Sequence, residues 1–221
     1  MRRRFLALCA AAALFIVACG SSGNAGGNNH HAGTLTVGSG TDADTLDPVA
    51  QTTTIVGAMV NMVVEPLVQL NKEGKVVPDL ATSWSMSSDG QTYTFNLRHN
   101  VKFSDGEPFN AAAVVKSLDR LNSPQTFSAQ PGVGLNLITG VTAVSNDKVE
   151  VHIKSSFFPF VQAMTQVGAG IMAPNSFTQH GNTLAKVVWP VGTGPYVYSG
   201  RVIGEQLTFD RNPSYWGHAP A

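Results

Sequence analysis

Residues 88 to 98 read Ser88-Asp-Gly-Gln-Thr-Tyr-Thr-Phe-Asn-Leu-Arg98. Asp89-Gly90 supplies the positive-φ turn of a hairpin, and the alternation behind it puts Tyr93, Phe95 and Leu97 on one face of a strand. Upstream, Pro66-Leu-Val-Gln-Leu70, Lys75-Val-Val77 and Ser83-Trp-Ser-Met86 are short β-rich runs, with Asn71-Lys-Glu-Gly74 as a turn signal among them. Downstream, Val141-Thr-Ala-Val144 and Val149-Glu-Val-His-Ile153 alternate around Asn146-Asp147, a second hairpin. Antiparallel pairing therefore dominates the middle of the chain.

Helices fall between these runs. Asn110 is a good N-cap for Ala111 to Leu121, and Pro124 follows the helix end. Thr53 to Val64 carries apolar residues on more than one face, which predicts a buried helix. Phe157 to Val167 predicts a short apolar helix with Pro159 in its first turn. At the edges, Gly33-Thr-Leu-Thr-Val-Gly38 alternates like a strand, and Thr41 to Pro48 is a polar loop closed by a proline. Tyr196-Val-Tyr198 and Gln206-Leu-Thr-Phe209 predict two late strands around a glycine-containing connection. The fold class is mixed α/β.

The N-terminus is a processing segment. Arg2, Arg3 and Arg4 precede an apolar run from Phe5 to Val17, too short to span a bilayer, which takes roughly 20 residues. The run ends in Ile16-Val17-Ala18-Cys19-Gly20, which resembles a bacterial lipobox, where the cysteine is lipidated and becomes the first mature residue. The alternative is an ordinary signal peptide cut near Ala18, with Cys19 incidental. Residues 1–18 are thus a signal peptide, and 19–32, rich in Gly, Ser and Asn, a flexible tether. Cys9 leaves with the signal, so Cys19 is the one remaining thiol and no intramolecular disulfide forms.

Composition narrows the function. The chain has 221 residues, 43% hydrophobic and 13% charged, with 14 basic against 14 acidic side chains. The hydrophobic content argues against disorder, and the absence of a basic surplus argues against a nucleic-acid partner. No P-loop, H-E-x-x-H or G-x-S-x-G motif occurs. Gly132-Val-Gly134 and Gly192-Thr-Gly194 lack the third glycine of a dinucleotide fingerprint. His30-His31 reads as solvated tether, and Glu150 with His152 as a strand pair on one face with no nucleophile in view. Asp42, Asp44 and Asp47 lack the glycine turn and distal Glu of a calcium loop. No cofactor and no metal is implied.

Five landmarks stand in order: Thr45-Leu-Asp-Pro48; Val77-Pro-Asp-Leu-Ala-Thr-Ser-Trp84; the hairpin of residues 88 to 98; Val101-Lys-Phe-Ser-Asp-Gly-Glu-Pro-Phe-Asn-Ala-Ala-Ala-Val114; and Val191-Gly-Thr-Gly-Pro-Tyr196 with Arg211-Asn-Pro-Ser-Tyr-Trp216. This order resembles the family 5 extracellular solute-binding proteins, the class that holds the oligopeptide, dipeptide and nickel receptors of ABC importers. The resemblance implies a periplasmic-binding-protein type II-like lobe with an inserted extra domain. Residues 33–50 and 187–221 would form part of the first ligand-binding lobe, and 51–186 the inserted domain. Family members are much longer and close two lobes on their ligand, so the chain is expected to stop before the second lobe, and half a clamp to bind weakly.

The implied function is an extracellular substrate-binding lipoprotein of an ABC importer, with peptides or another small solute as cargo. Its partners would be the permease and ATPase, and the membrane through a lipid on Cys19, at the outer face of the cell membrane. A peptide-signal receptor on the same fold and a nonfunctional fragment are the alternatives. An enzyme is disfavoured, since no nucleophile and base pair up. In the oligopeptide receptors the stretch just after the shared Leu-Asp-Pro reaches the peptide, which carries over to Thr52, Thr53 and Thr54. Asp42 and Asp44, in the loop before it, would meet a ligand ammonium. A solvated loop held by Asx turns, with a threonine cap, is the competing reading of the same residues.

Overall fold

The computed structural model describes residues 33–43, 45–50, 53–123, 134–180, 182–183 and 186–218. The chain divides into Met1–Thr36 and Val37–Ala221. The signal peptide, Cys19, the tether and His30-His31 lie outside the described residues.

A four-stranded antiparallel sheet organises the larger unit. β1 (Val68–Leu70) and β2 (Val76–Pro78) form a separate hairpin whose turn ends at Gly74, φ 74°. Then β3 (Ala81–Met86), β4 (Thr92–Leu97), β5 (Ile138–Ser145) and β6 (Lys148–Ile153) assemble in the order β3-β4-β6-β5. Phe95 lies opposite Trp84 on one side and Val149 on the other. The alternation read from the sequence holds: Tyr93, Phe95, Leu97, Val149, Val151 and Ile153 are all buried. Gly90 makes the β3–β4 turn at φ 69°, as its Asp-Gly dipeptide predicts.

α2 (Ala111–Asp119) covers the apolar face of this sheet. Asn110 Oδ1 accepts from the Ala113 amide at 3.1 Å, satisfying one of the unpaired first-turn donors. Ala113, Val114 and Leu118 face the sheet, and a 3-10 turn at Arg120–Asn122 carries the chain off it. From the far end, Phe160 packs on Tyr93 with ring centroids 4.6 Å apart.

Three expectations are corrected. Gly33 to Gly38 forms no strand; Leu35 and Val37 are exposed, and no described strand pairs with the segment. The helix predicted over Thr53 to Val64 is α1 (Thr54–Asn61), and it is amphipathic, with Val56, Gly57 and Val60 buried but Thr54, Ile55 and Ala58 exposed. It stops because the backbone beyond it pairs elsewhere. The Met62 and Val63 carbonyls accept from the Tyr196 and Gly194 amides at 3.0 and 2.9 Å, and the Glu65 carbonyl from Ile171 at 2.9 Å. The helix predicted over Phe157 to Val167 shrinks to the single turn α3 (Phe160–Ala163), after which Thr165 and Gln166 donate three residues back and tighten the chain.

β7 (Tyr196–Val202) and β8 (Gln206–Arg211) pair as the late hairpin, turning at Gly204, φ 75°. A main hydrophobic cluster fills the space between the four-stranded sheet and α2. A smaller one joins Ala43 and Leu46 to Val56, Val60, Phe177 and Tyr198, so α1 packs with the loop before it and with the late hairpin.

Candidate functional site

The polar loop of residues 41 to 48 is polar only in part. Ala43, Leu46 and Asp47 are buried, and Asp47 is its anchor. Its two carboxylate oxygens accept from Arg120 Nη1 and Nη2 at 3.0 and 2.6 Å. They also accept from the Val49 and Val187 amides at 3.1 and 3.0 Å. The guanidinium lies 4.9 Å over the Phe177 ring. The motif Leu46-Asp-Pro48 thus acts as a clasp that joins its own loop to Arg120 and to Val187, three parts of the chain.

The predicted ligand contacts lie on either side of the clasp. Asp42 Oδ2 accepts from Arg201 Nη2 at 2.9 Å and from the Gly204 amide at 2.8 Å, tying the loop to the β7–β8 turn. Those bonds, the arginine's first, hold its carboxyl below the usual carboxylate range. The structure therefore separates Asp42 and Asp47, each on its own arginine; Asp44 lies outside the described residues. Thr53 caps α1, its hydroxyl accepting from the Val56 amide at 3.3 Å. Thr54 opens the helix and is exposed, while Thr52 lies outside the described residues. The Thr53 cap satisfies the Val56 amide, and the Gly57 amide donates to the Thr53 carbonyl at 2.9 Å.

A second polar centre went unread in the sequence. Glu65 is buried, and three donors converge on it: Thr193 Oγ1 at 2.7 Å, Trp216 Nε1 at 2.8 Å and the Tyr215 hydroxyl at 2.9 Å. Burial pushes its carboxyl up despite those bonds. Asp79 is buried beside it and pushed up to about 7, by desolvation and by the Glu65 charge, with Arg98 opposing. Arg98 stacks 4.3 Å over Trp216 and donates from Nε to the Asp79 backbone carbonyl at 3.1 Å. The sequence did hold a signal for Glu65, a lone charge inside Val63-Val-Glu-Pro-Leu67.

The other polar residues take structural roles. His152 is held between the Thr92 and Thr142 hydroxyls, each 3.3 Å from a ring nitrogen. Gly192 and Gly194 press against the backbone of Met62, Val63 and Val64, which explains the G-x-G without a phosphate. Among the described residues no three His, Cys, Asp or Glu group to hold a metal, and no helix is long and apolar enough to cross a membrane.

Comparison with known proteins gives a consistent picture. The profile described as bacterial extracellular solute-binding proteins, family 5 Middle, matches residues 75–221. The chain is 37% identical over 162 residues to the nickel-binding periplasmic protein of Escherichia coli K12, covering 73% of this chain and 30% of that protein. It is 34% identical over 160 residues to the glutathione-binding protein GsiB of the same strain, covering 72% and 31%. Among solved structures, NikA from Brucella suis in complex with Fe(III)-EDTA superposes with a TM-score of 0.71 at 38% identity, over 81% of this chain and 36% of that one. The chain thus spans about a third of the length of the relatives it matches.

Proposed function

The chain belongs to the bacterial extracellular solute-binding proteins, family 5, and on that premise we propose that it serves as the substrate-binding component of an ABC importer with peptides as cargo. The observation that carries this reading is the family match over residues 75–221, joined by relatives named for binding nickel and glutathione. The role is capture and delivery rather than chemistry. Residues 33–50 and 187–221 contribute to one ligand-binding lobe and 51–186 to the inserted domain, the clamp being completed by the rest of a family member's length. A lipid on Cys19 holds the protein at the outer face of the cell membrane, where it hands its cargo to the permease and ATPase.

The ligand meets this part of the protein around Leu46-Asp-Pro48. Thr53 and Thr54, at the exposed opening of α1, and Thr52 before them offer hydroxyls to a peptide's backbone oxygens. Asp42 and Asp44 offer negative charge to its ammonium, with Asp42 sharing that charge with Arg201. Disruption of the gene, followed by uptake of radiolabelled di- to pentapeptides and of nickel, tests the reading. Loss of peptide uptake is expected. Lost nickel uptake with normal peptide uptake reassigns the cargo, and unchanged uptake of both with a lost response to peptide favours a peptide-signal receptor.

A further inference from the structure

Glu65 and Asp79 are two buried carboxylates in one neighbourhood, and only one of them is satisfied. Glu65 takes three donors. Among the described residues, Asp79, 4% exposed, accepts no hydrogen bond at its carboxylate and makes no ion pair, although its own backbone is fully used by Leu67 and Arg98. Its carboxylate opens onto a cavity that Glu65 also lines, and a largely desolvated carboxylate without a protein donor is costly. Here the nearest cation, Arg98, is spent on the Asp79 carbonyl and the Trp216 ring.

Both acids line a cavity of about 390 Å³, together with Asn61, Gln69, Thr165 and Tyr215. A neighbouring cavity of about 370 Å³ shares Leu70 and Thr165 with it and adds the apolar surfaces of Phe157, Pro159 and Ala163. The two together offer an acidic end with oxygen acceptors and an apolar end, in the size range of small-molecule sites.

We propose that this double cavity binds a protonated primary amine carried on an apolar stem, with the ammonium on Asp79 and the stem against Leu70 and Phe157. An ammonium supplies the donors that Asp79 lacks, and Asn61, Gln69 and Thr165 supply acceptors for its remaining N–H groups. The site lies at the other end of α1 from Thr53 and does not depend on the importer reading. Glu65, Arg98 and Tyr215 are the titratable and charged groups around Asp79. Because a proton on Asp79 competes with the ammonium, binding strengthens as pH rises through its titration near 7.

Calorimetric titration of the full chain with hexylamine tests this, with hexan-1-ol as the neutral analogue and the capped peptide acetyl-Gly-Lys-Gly-amide as a lysine source. We expect hexylamine to bind more tightly at pH 8 than at pH 6, and hexan-1-ol to bind at least about tenfold more weakly. Asp79→Asn, which keeps the shape and removes the charge, should weaken hexylamine by a similar factor while its circular dichroism stays unchanged. Binding of the capped peptide through Asp79 would identify a lysine side chain as a source of the amine. Equal binding of amine and alcohol, or no heat with any amine at pH 8, overturns the proposal without reliance on the variant. Undiminished hexylamine binding by folded Asp79→Asn overturns it as well.

Discussion

Asp47 and Arg120, 73 residues apart in sequence, meet in a two-point ion pair with both side chains withdrawn from solvent. The pair joins the loop ahead of α1 to the end of α2, and the Val187 amide adds a third segment to the same carboxylate. Removing one partner strands the other charge. Arg120→Leu is expected to cost about 3–5 kcal/mol, read from urea unfolding, whereas Asp47→Leu with Arg120→Leu recovers much of that loss. A single variant within about 0.5 kcal/mol of the parent would mean the clasp is ornamental.

Gly192 should not tolerate even a methyl group. A Cβ there would sit 2.7 Å from the Val63 carbonyl carbon and 2.8 Å from Val64 Cα, and both are backbone atoms with no rotamer to yield. Gly192→Ala is expected to lose about 1–3 kcal/mol or more, seen as a lower Tm. Gly200→Ala, where nothing lies within 4 Å, is the control and should melt with the parent.

Stability should fall as the medium turns from mildly acidic to neutral. Asp79 titrates at about 7 when folded, against 3.8 for the ordinary carboxyl. Between those values the folded chain holds a proton that the unfolded chain has released, so raising the pH favours unfolding. The span corresponds to at most about 4 kcal/mol. Glu65 acts in the same direction, while Asp42, Asp89 and Asp147 are lowered and lose their contributions only in stronger acid. Urea midpoints at pH 5 and 8 should differ in the parent and much less in Asp79→Asn, which should also be the more stable protein at pH 8. A parent midpoint that rises from pH 5 to 8 would contradict the assignment.

Thr53 separates capping from recognition. Thr53→Ala removes the acceptor for the Val56 amide and should cost about 1 kcal/mol, while Thr53→Asn restores the cap. Placed at the native locus, restored peptide uptake in Thr53→Asn would show that the threonine acts as a cap. Uptake lost in both variants, with normal protein levels, would place its hydroxyl on the ligand.

The proposed lipid anchor rests on one atom, the Cys19 sulfur. Cys19→Ser should abolish incorporation of labelled palmitate and release the protein into the medium. Continued labelling of that variant would return Cys19 to an incidental position after an ordinary signal peptide.

Local chemistry explains which features were legible. Asp-Gly at 89–90, the alternation through Tyr93, Phe95 and Leu97, and Asn110 ahead of an alanine-rich run each act within a few residues, and each appears as read. The helix expected through Val64 ends early because Met62 to Val64 looks helical in isolation, yet the Met62 and Val63 carbonyls are taken by Tyr196 and Gly194, more than 100 positions onward. The strand expected at Gly33 to Gly38 failed for the same kind of reason, since alternation prepares a strand but a ladder makes one.

The sequence alone therefore determined the antiparallel hairpins, the capped α2 and the family, because turns, caps, period-2 burial and ordered motifs are all written in neighbouring residues. The partners of its charges were decided elsewhere. That Asp47 would take Arg120, Asp42 would take Arg201, Glu65 would gather Thr193, Tyr215 and Trp216, and Asp79 would be left without a donor depends on side chains brought together across 19 to 159 positions. Hydrogen bonds and ion pairs act over a few ångströms of space and carry no trace of chain separation, so only the packed core could assign them.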